Sequence, residues 1–578
     1  MQLQDTPPSV KGQIQIAYFS MEIGLESQIP TYSGGLGVLA GDTLRAAADM
    51  ELPLVAVSLV YREGYFHQVL DARGSQTEVP FVWHPEEVVE LLPQRVTVPI
   101  EGRQVQIAVW RYVVQGVTGG KIDVYLLDTD VPENTPGDRA LTSRLYGGDQ
   151  RYRLCQEALL GLGGVELLHE LGHDGNLVHH MNEGHSALLA LGLLEREINN
   201  GGAAAVTDAS VAAVRGKCVF TTHTPVAAGH DKFPWSLVRQ VLGDARAETL
   251  CAAGCCENDT LNMTALALRF SHYANGVALR HEEVSQIMFP AYQIRAITNG
   301  VHGVTWTSDP FAQLFDKHIP EWRVDNEYLR YALSIPLKEI QEAHAQAKQA
   351  MLAEITRRTG RYFNDTILTL GFARRATPYK RAGLLFADLE RLKSIARSVG
   401  PMQIIYAGKA HPADEPGKDI IREIYRAAEQ LGDTVPVVYI PDYDMDLAKY
   451  LVSGVDIWLN TPQKPHEASG TSGMKAALNG VPSFSVRDGW WVEGHIEGVT
   501  GWSIDDFGDT SDSVAQESTF LYRKLERLIV PLFYNKPVAF SRVMRSAIAL
   551  NGSFFNAQRM ASQYRNSAYG KGAAGRVG

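Results

Sequence analysis

The chain has 578 residues, of which 45% are hydrophobic and 21% are charged. This composition is ordinary for a globular protein, and the length predicts about three or four domains, or two large ones. Because 65 acidic residues outnumber 54 basic ones, the net charge of −11 excludes a general attraction to nucleic acid or to an anionic membrane.

The sequence also lacks targeting and membrane signals. No apolar run approaches the ~20 residues that a membrane-spanning helix needs. The N-terminal segment MQLQDTPPSVKGQ has neither the charged nor the apolar region of a signal peptide. Five cysteines in so long a chain do not predict a disulfide framework. We therefore expect a cytoplasmic protein with no membrane or nucleic-acid partner.

In the first half of the chain, short apolar strands alternate with helices, and glycines mark the junctions. Strands are predicted at 13–20 and 52–61, with a glycine-rich turn and a helix between them at 31–50. This order is typical of a parallel sheet covered by helices. Alternating stretches between 75 and 130 predict an antiparallel insertion, and the strand-then-loop pattern returns at 217–225.

The second half begins with a polar helix at 337–360 and then repeats the strand–helix alternation. Strands are predicted at 366–375, 402–410, 435–443, 455–462 and 481–489. Two such series predict an α/β fold with two doubly wound domains, residues 1–298 and 299–578, facing a cleft. Helices at about 540–565 are expected to cross back to the first domain. Ligands bind such sheets beyond the carboxyl ends of the strands.

The segment HEASGTSGMKAALNG (466–480) follows a predicted strand and opens a helix. Its small residues leave backbone N–H groups and the positive end of the helix dipole open to a phosphate. Lys475, in the first turn, reaches back over the same site. Glu467, at its mouth, can accept hydrogen bonds from sugar hydroxyls. A plain turn with a surface lysine has the same composition.

The segment GFARRATPYKR (371–381) places Arg374, Arg375, Lys380 and Arg381 just after another predicted strand. Arginine forks suit phosphate oxygens, and lysine adds a point charge. Solvated basic residues at a strand–helix corner are the alternative. Two phosphate-compatible loops in the same half of the chain favour the binding interpretation.

Two further loops carry polar residues at strand ends. The turn TYSGGLGVLAGD (31–42) lacks the G-x-G-x-x-G spacing, but its glycines predict a close backbone approach to an anion. His223 in FTTHTP and Asn299 in TNGVHGVTW can bond sugar hydroxyls. A lone histidine in such a place is also compatible with a structural role.

The segment HELGHDGNLVHH (169–180) matches a zinc-protease pattern at His169, Glu170 and His173, with His179 at the third-ligand spacing. Zinc chemistry needs the first two histidines on one continuing helix. The run Asp174-Gly175-Asn176 is expected to end that helix. CAAGCC (251–256) lacks a completing pair of ligands. We therefore predict no metal site.

Together these segments resemble the α-glucan (glycogen, starch and maltodextrin) phosphorylases of the shorter bacterial type, over most of the chain from 17 to 564. EASGTSGMK followed by NG is similar to the segment that carries their pyridoxal-phosphate lysine. The resemblance implies a GT-B fold of two Rossmann-like domains. It implies that Lys475 forms the Schiff base with pyridoxal 5′-phosphate. It also implies that Thr471, Ser472 and Arg374 hold the cofactor phosphate.

The same resemblance implies the remaining site residues and the reaction. Arg375 and Lys380, with the backbone N–H of Gly35, are implied to bind orthophosphate. The implied contacts to the glucosyl unit are His223, Asn299, Tyr379, Glu467, Ser469 and Gly470. The implied catalytic set is Lys475, Arg375, Lys380, Glu467 and His223. The implied reaction is retaining phosphorolysis of α-1,4-glucan ends to α-glucose 1-phosphate, with orthophosphate as proton donor and the cofactor phosphate as relay.

Some positions depart from the family pattern. Ser33 stands where the family has asparagine, and Ser472-Gly473 replaces its Gly-Asn. Little chain precedes Tyr18, so control through a regulatory extension is not implied, whereas a homodimer is. A nucleotide-sugar glucosyltransferase of the glycogen or starch synthase kind is the alternative enzyme, but it does not require Lys475. A non-catalytic glucan-binding protein needs no Schiff-base lysine either.

Overall fold

The computed structural model describes residues 15–173, 177–200, 205–256, 259–505 and 514–570. Within these residues the fold is α/β, with a nine-stranded sheet from the first half of the chain and a six-stranded sheet from the second. Two separate two-stranded ribbons complete the strands. In the same residues, no helix is long and apolar enough to cross a membrane.

The strands, in chain order, are β1 (Gln15–Ser20), β2 (Leu54–Leu59), β3 (His67–Leu70), β4 (Gln76–Val79), β5 (Glu90–Ile100), β6 (Arg103–Gln115), β7 (Lys121–Asp128), β8 (Leu177–Asn182), β9 (Cys218–Thr221), β10 (Lys232–Pro234), β11 (Thr260–Asn262), β12 (Tyr273–Gly276), β13 (Ile294–Ala296), β14 (Leu368–Ala373), β15 (Met402–Ala407), β16 (Val437–Ile440), β17 (Ile457–Asn460), β18 (Ser483–Ser485) and β19 (Gly501–Ser503).

The α-helices are α1 (Gly35–Asp49), α2 (Pro136–Arg139), α3 (Gln150–Ala158), α4 (Gly164–Glu170), α5 (Leu189–Asn200), α6 (Asp208–Arg215), α7 (Trp235–Leu242), α8 (Asp244–Ala252), α9 (Met263–Arg269), α10 (Leu279–Met288), α11 (Gly303–Trp306), α12 (Asp309–His318), α13 (Leu337–Thr359), α14 (Leu389–Ser398), α15 (Glu415–Leu431), α16 (Met445–Gly454), α17 (Thr471–Leu478), α18 (Trp491–Gly494), α19 (Val514–Lys524), α20 (Val530–Asn535), α21 (Pro537–Ser546) and α22 (Ala557–Ser567).

The first sheet has the order β13-β12-β9-β8-β1-β2-β7-β6-β5. Its strands are parallel from β13 to β7, and β6 and β5 continue the edge antiparallel. The predicted antiparallel stretch is therefore confirmed, but it extends the main sheet rather than forming a separate insertion. The second sheet, β16-β15-β14-β17-β18-β19, is parallel throughout. Strands β14 to β18 are buried along their whole length, as continuous apolar runs predict for a sheet covered on both faces.

Each sheet has a point where the strand order reverses. In the first sheet it lies between β1 and β8, and in the second it lies between β14 and β17. Loops leaving the carboxyl ends of neighbouring strands diverge at such a point and open a crevice. The loops that follow β1, β8, β14 and β17 carry most of the candidate site residues.

The ribbon of β3 and β4 joins the two halves of the molecule. The amide of Gln76 donates to the Ala410 carbonyl at 2.8 Å and accepts from the Ala410 N–H at 3.0 Å. The carboxylate of Asp442 accepts the Gln68 N–H at 3.0 Å and lies 2.7 Å from Nδ1 of His67. The ribbon is therefore held to loops that follow β15 and β16 of the second sheet.

The last helix, α22, packs against α1 at the first sheet. Arg559 donates to the Thr298 and Asn299 carbonyls at 2.7 and 2.9 Å, and the Tyr564 hydroxyl accepts from Nδ2 of Asn275 at 3.0 Å. The division of the chain at residues 298 and 299 stays a prediction.

The structure also bears on the two metal patterns. Helix α4 ends at Glu170, and His179 lies in strand β8, so His169, His173 and His179 do not share a helix. The segment Asp174–Asn176, expected to end that helix, lies outside the described residues. Cys251 and Cys256 form a disulfide, which the sequence analysis missed because so short a loop carries no framework pattern.

Candidate active site

Glu467 lies at the reversal point of the second sheet and pairs with two cations. Its carboxylate is 2.6 Å from Nη1 of Arg374 and 2.8 Å from Nζ of Lys380. All three side chains are less than 10% exposed. Arg374, which directly follows β14, also donates to the amide oxygen of Asn460 at the end of β17. The two loops of the reversal point are thus joined through these ions.

Two cations share one carboxylate, so the cluster carries an excess positive charge. Burial alone would raise the pKa of Glu467, but Arg374 and Lys380 lower it to about 2. The pKa of Lys380 is lowered by burial and by the charge of Arg374, which together outweigh Glu467. Glu467 is therefore ionised at neutral pH and is not a proton donor. The remaining positive charge favours an anion nearby.

The loop after β17 leads into α17 through a glycine. Gly470 is the N-cap residue and has φ = +88°, which a residue with a side chain rarely adopts. No side chain caps this helix end, so its first N–H groups are available to an anion. The hydroxyl of Ser472 accepts from the Trp458 indole at 3.1 Å. Ser472 therefore contributes its backbone to this end, while Thr471 is half-buried beside it.

Lys475 is buried and lies in the last turn of α17, not in the predicted first turn. Its Nζ lies 3.7 Å from the centre of the Trp306 ring, and that indole donates to the Asp42 carboxylate at 2.8 Å. Burial lowers the pKa of Lys475 to about 8; Arg45 adds to this shift and Asp42 opposes it. A buried amine with this pKa has a substantial neutral fraction near pH 7, which nucleophilic attack on an aldehyde requires.

Arg375 is exposed, unlike the neighbouring Arg374 of the Glu467 cluster. Its side chain lies against the glycine turn of the first sheet, because a Cβ built on Gly34 would be 3.5 Å from its Cδ. A Cβ on Gly35 would meet nothing within 4 Å, so the N-terminus of α1 opens to the cleft.

The first sheet supplies neutral polar groups. His223 follows β9, and its Nε2 lies 2.7 Å from Oδ1 of Asn182 at the end of β8. Burial and three neighbouring histidines keep the pKa of His223 well below its usual value, so the ring is uncharged. Among the described residues, the buried Oδ1 of Asn299 and Oγ of Ser469 have no hydrogen-bond partner. Such atoms are suited to bond a polar ligand.

Tyr379 stands beside the cations of the second sheet. The Lys380 ammonium lies 4.5 Å from the centre of its ring, and the ring of His466 is 6.4 Å away. Burial acts to raise the pKa of Tyr379, but the positive charges of Lys380 and Arg375 lower it overall. The side chain is half-buried, which leaves part of it available to a ligand.

Contacts join some of the predicted residues: Arg374, Lys380 and Glu467 form one cluster. Arg375 lies against the turn at Gly34. The grouping differs from the prediction in two respects. Lys380 pairs with the Arg374–Glu467 cluster, whereas the sequence analysis grouped it with Arg375; the phosphate that each cation binds stays a prediction. Arg381 faces away, because it pairs with Glu517 and donates to the Thr461 and Pro462 carbonyls. It holds a loop.

Two acidic residues were missed. Glu22 accepts the N–H groups of Ser33 and Gly34 at 2.6 and 3.2 Å and so fixes the glycine turn. Asp488 accepts the Glu467 N–H at 2.9 Å. Burial raises the pKa of Asp488 to about 6. A buried carboxylate that accepts backbone hydrogen bonds leaves only a weak signal, a single acidic residue after an apolar strand.

A groove of about 880 Å³ lies elsewhere between the two halves. It is lined by Glu26, Arg45, Tyr112, Asp446 and Lys449 among others, and it contains none of the predicted site residues. The predicted site residues therefore lie outside this groove.

Comparison with known proteins gives a family match in the same region. The family model described as carbohydrate phosphorylase matches residues 243–529. This range includes Asn299, Arg374, Glu467 and Lys475, whereas the glycine turn precedes it.

Named relatives match over nearly the whole chain. A maltodextrin phosphorylase of Thermococcus litoralis is 38% identical, over 98% of this chain and 72% of its own length. A glycogen phosphorylase of Mycobacterium tuberculosis is 36% identical, over 95% of this chain and 70% of its own. A glycogen phosphorylase of Aquifex aeolicus is 35% identical, over 96% of this chain and 86% of its own.

The Glu467 cluster predicts a large difference between two Glu→Gln substitutions. Glu467→Gln leaves two buried cations without a counter-charge, which costs about 3–5 kcal/mol of unfolding free energy. Glu526→Gln is the control, because its Arg391 pair is far more exposed, at 38% and 40%, and is worth about 0–1 kcal/mol. Denaturation in phosphate-free buffer measures both. Equal effects would contradict the assigned role of Glu467.

Proposed function

Because this chain belongs to the carbohydrate phosphorylase family, we propose that it cleaves α-1,4-glucans from their non-reducing ends with orthophosphate, releasing α-glucose 1-phosphate. The observation that carries this proposal is the charge of the cleft. Arg375 lies beside the turn that opens α1, the helices α1 and α17 both begin without a side-chain cap, and the Glu467 carboxylate is already ion-paired. Such a cleft suits two phosphate groups rather than the paired carboxylates of a glycosidase.

The residues around Lys475 fit pyridoxal 5′-phosphate. Lys475 offers a buried amine of lowered pKa on an aromatic ring, and would hold the aldehyde carbon covalently. The N–H groups at Thr471 and Ser472 and the Arg374 guanidinium would hold the cofactor phosphate. When bound, the cofactor supplies a second phosphate group next to the substrate phosphate.

Orthophosphate is expected between Arg375 and the N-terminus of α1. Arg375 is the cation most open to the cleft, and the turn at Gly34 and Gly35 leaves room for an anion beside the backbone. Glu22 fixes that turn through the N–H groups of Ser33 and Gly34. Lys380 adds positive charge across the cleft, which stabilises the anion that develops as the phosphate gives up its proton.

The proton for the leaving sugar comes from orthophosphate itself. Glu467 has a pKa of about 2 and is ionised, and Asp488 directs both carboxylate oxygens to backbone N–H groups. In the proposed step, the phosphate proton passes to the glycosidic oxygen, and the bond from that oxygen to the anomeric carbon breaks. A phosphate oxygen then bonds to the anomeric carbon on the same face, which retains its configuration.

The glucosyl unit is expected on the side of the first sheet. Asn299 and Ser469 offer buried polar atoms without protein partners, and His223 offers an uncharged ring. Glu467, Gly470 and Tyr379 border the same space from the second sheet. Neutral groups and one paired carboxylate bind hydroxyls while the free cations attract phosphate. We further propose a cytoplasmic homodimer.

The decisive assay is release of glucose 1-phosphate from maltodextrin. We expect product only when orthophosphate is present, because the phosphate is a reactant. UDP-glucose and ADP-glucose serve as alternative donors in a parallel chain-elongation assay. Glucosyl transfer from either nucleotide sugar, without phosphate-dependent release, would replace the proposal with a nucleotide-sugar glucosyltransferase.

Replacement of Lys475 tests the cofactor. The purified protein is expected to show the absorption band of covalently bound pyridoxal phosphate, and Lys475→Ala is expected to lose the band and the activity. Lys449→Ala, an exposed lysine on the neighbouring helix α16, serves as the control and should keep both. A wild-type protein without the band argues against pyridoxal phosphate.

Two adjacent arginines test the division between the phosphate groups. Arg375→Ala is expected to raise the KM for orthophosphate roughly 10- to 100-fold, the effect of losing a charged hydrogen bond, with cofactor content unchanged. Arg374→Ala is expected to lower cofactor content. Titrating phosphate and counting bound pyridoxal phosphate in each variant measures both. An equal loss of both properties in Arg375→Ala would refute the division.

A further inference from the structure

Two residues at the end of β8 hold His223: Asn182, the last residue of the strand, and Glu183, which follows it. Its backbone N–H donates to Oε2 of Glu183 at 2.7 Å, and its ring Nε2 lies 2.7 Å from Oδ1 of Asn182. The orientation of the ring is therefore set by the first sheet. The hydrogen bonds of Asn182 determine which ring nitrogen of His223 carries the hydrogen.

The hydrogen bonds of Ser20 decide this through Asn182. The hydroxyl of Ser20 lies 2.7 Å from the Glu22 carbonyl, which can only accept, so the hydroxyl hydrogen is used there. The same hydroxyl oxygen must then accept from Asn182, whose Nδ2 lies 3.0 Å away. The Asn182 amide is thereby oriented with its oxygen towards His223.

The oxygen of Asn182 has no hydrogen to give, so Nε2 of His223 must donate to it. An uncharged imidazole carries one hydrogen, and with that hydrogen on Nε2 the other nitrogen, Nδ1, is an acceptor. Within the described residues, no hydrogen bond engages Nδ1. Because His223 is only partly buried, Nδ1 is available to a ligand.

The groups around the ring keep it uncharged. Burial lowers the pKa of His223, and His281, His180 and His185 lower it further. Those three rings are themselves buried, with pKa values lowered to about 4, 3 and 3, so they are uncharged at neutral pH. The carboxylate of Glu183 is engaged by the N–H groups of His223 and Gly184 and by the Thr224 hydroxyl.

We propose that Ser20 and Asn182 are positioning residues that hold His223 in the tautomer with hydrogen on Nε2, so that Nδ1 accepts a hydrogen bond from a substrate hydroxyl. This inference rests on the proposed function in naming a glucosyl hydroxyl as the donor. An acceptor-only nitrogen bonds a hydroxyl but not an unprotonated phosphate oxygen. The tautomer thus assigns sugar to this wall of the cleft and leaves phosphate to the opposite one.

The tautomer can be observed directly in the wild-type protein. Nitrogen-15 NMR of histidine-labelled holoenzyme distinguishes a protonated from a bare ring nitrogen, and the His223 signals are those absent from His223→Gln. We expect hydrogen on Nε2 and a bare Nδ1 throughout about pH 5.5–8.5, where an ordinary histidine would titrate. Hydrogen on Nδ1, or a doubly protonated ring in this range, overturns the proposal.

Asn182→Asp gives a functional readout that a purely structural role would not produce. A carboxylate facing Nε2–H favours the charged ring, which has no acceptor at Nδ1. We expect kcat/KM near the wild-type value at the alkaline end and a fall of about tenfold per pH unit below the raised pKa of His223. A uniform loss at every pH overturns the proposal.

Asn134→Asp is the matched control, because Asn134 is a buried asparagine whose side chain bonds the backbone of Gln106 and Thr129 and not His223. It should add no acid limb to the pH profile; an equal acid limb in the control would also refute the proposal. The two hypotheses fail separately. An inactive wild-type enzyme with hydrogen on Nε2 refutes the proposed function alone, whereas an active enzyme with hydrogen on Nδ1 refutes only the tautomer.

Discussion

The buried ion cluster of Glu467 is the constraint on which the rest of the cleft depends. One carboxylate is shared by Arg374 and Lys380, which come from the loop after β14, while Glu467 itself comes from the loop after β17. The cluster therefore joins the two loops of the reversal point and sets the approach to α17. Because its charges do not cancel, it also gives an acidic protein a local positive field.

The two sheets contribute different chemistry to the same crevice. The second sheet supplies cations and a helix end, whereas the first supplies uncharged hydrogen-bonding groups and the glycine turn. The cations and the glycine turn follow strands at the points of strand-order reversal, which is where open α/β sheets place their ligands, whereas His223 and Asn299 follow β9 and β13. A substrate with one anionic and one hydroxyl-rich partner is matched by this division. Positive charge and uncharged hydrogen-bonding groups are therefore divided between the two walls of the crevice.

Much of this arrangement was predictable from the sequence, because the informative signals are local. Buried parallel strands appear as continuous apolar runs, so β1, β2, β14, β15 and β17 were all predicted close to their observed bounds. The segment around Lys475 combines small residues, a strand before it and a helix after it. Contacts between residues distant in the sequence were harder to predict. The pairing of Lys380 with Glu467 joins positions 87 residues apart, and no spacing rule indicates it.

The ribbon of β3 and β4 restricts the relative movement of the two halves of the molecule. The Gln76 side chain exchanges two hydrogen bonds with the backbone of Ala410 in the opposite half, and the Gln68 backbone N–H donates to the Asp442 carboxylate. Separation of the two halves would break these hydrogen bonds at the same time. The ribbon therefore limits how wide the cleft between the halves can open.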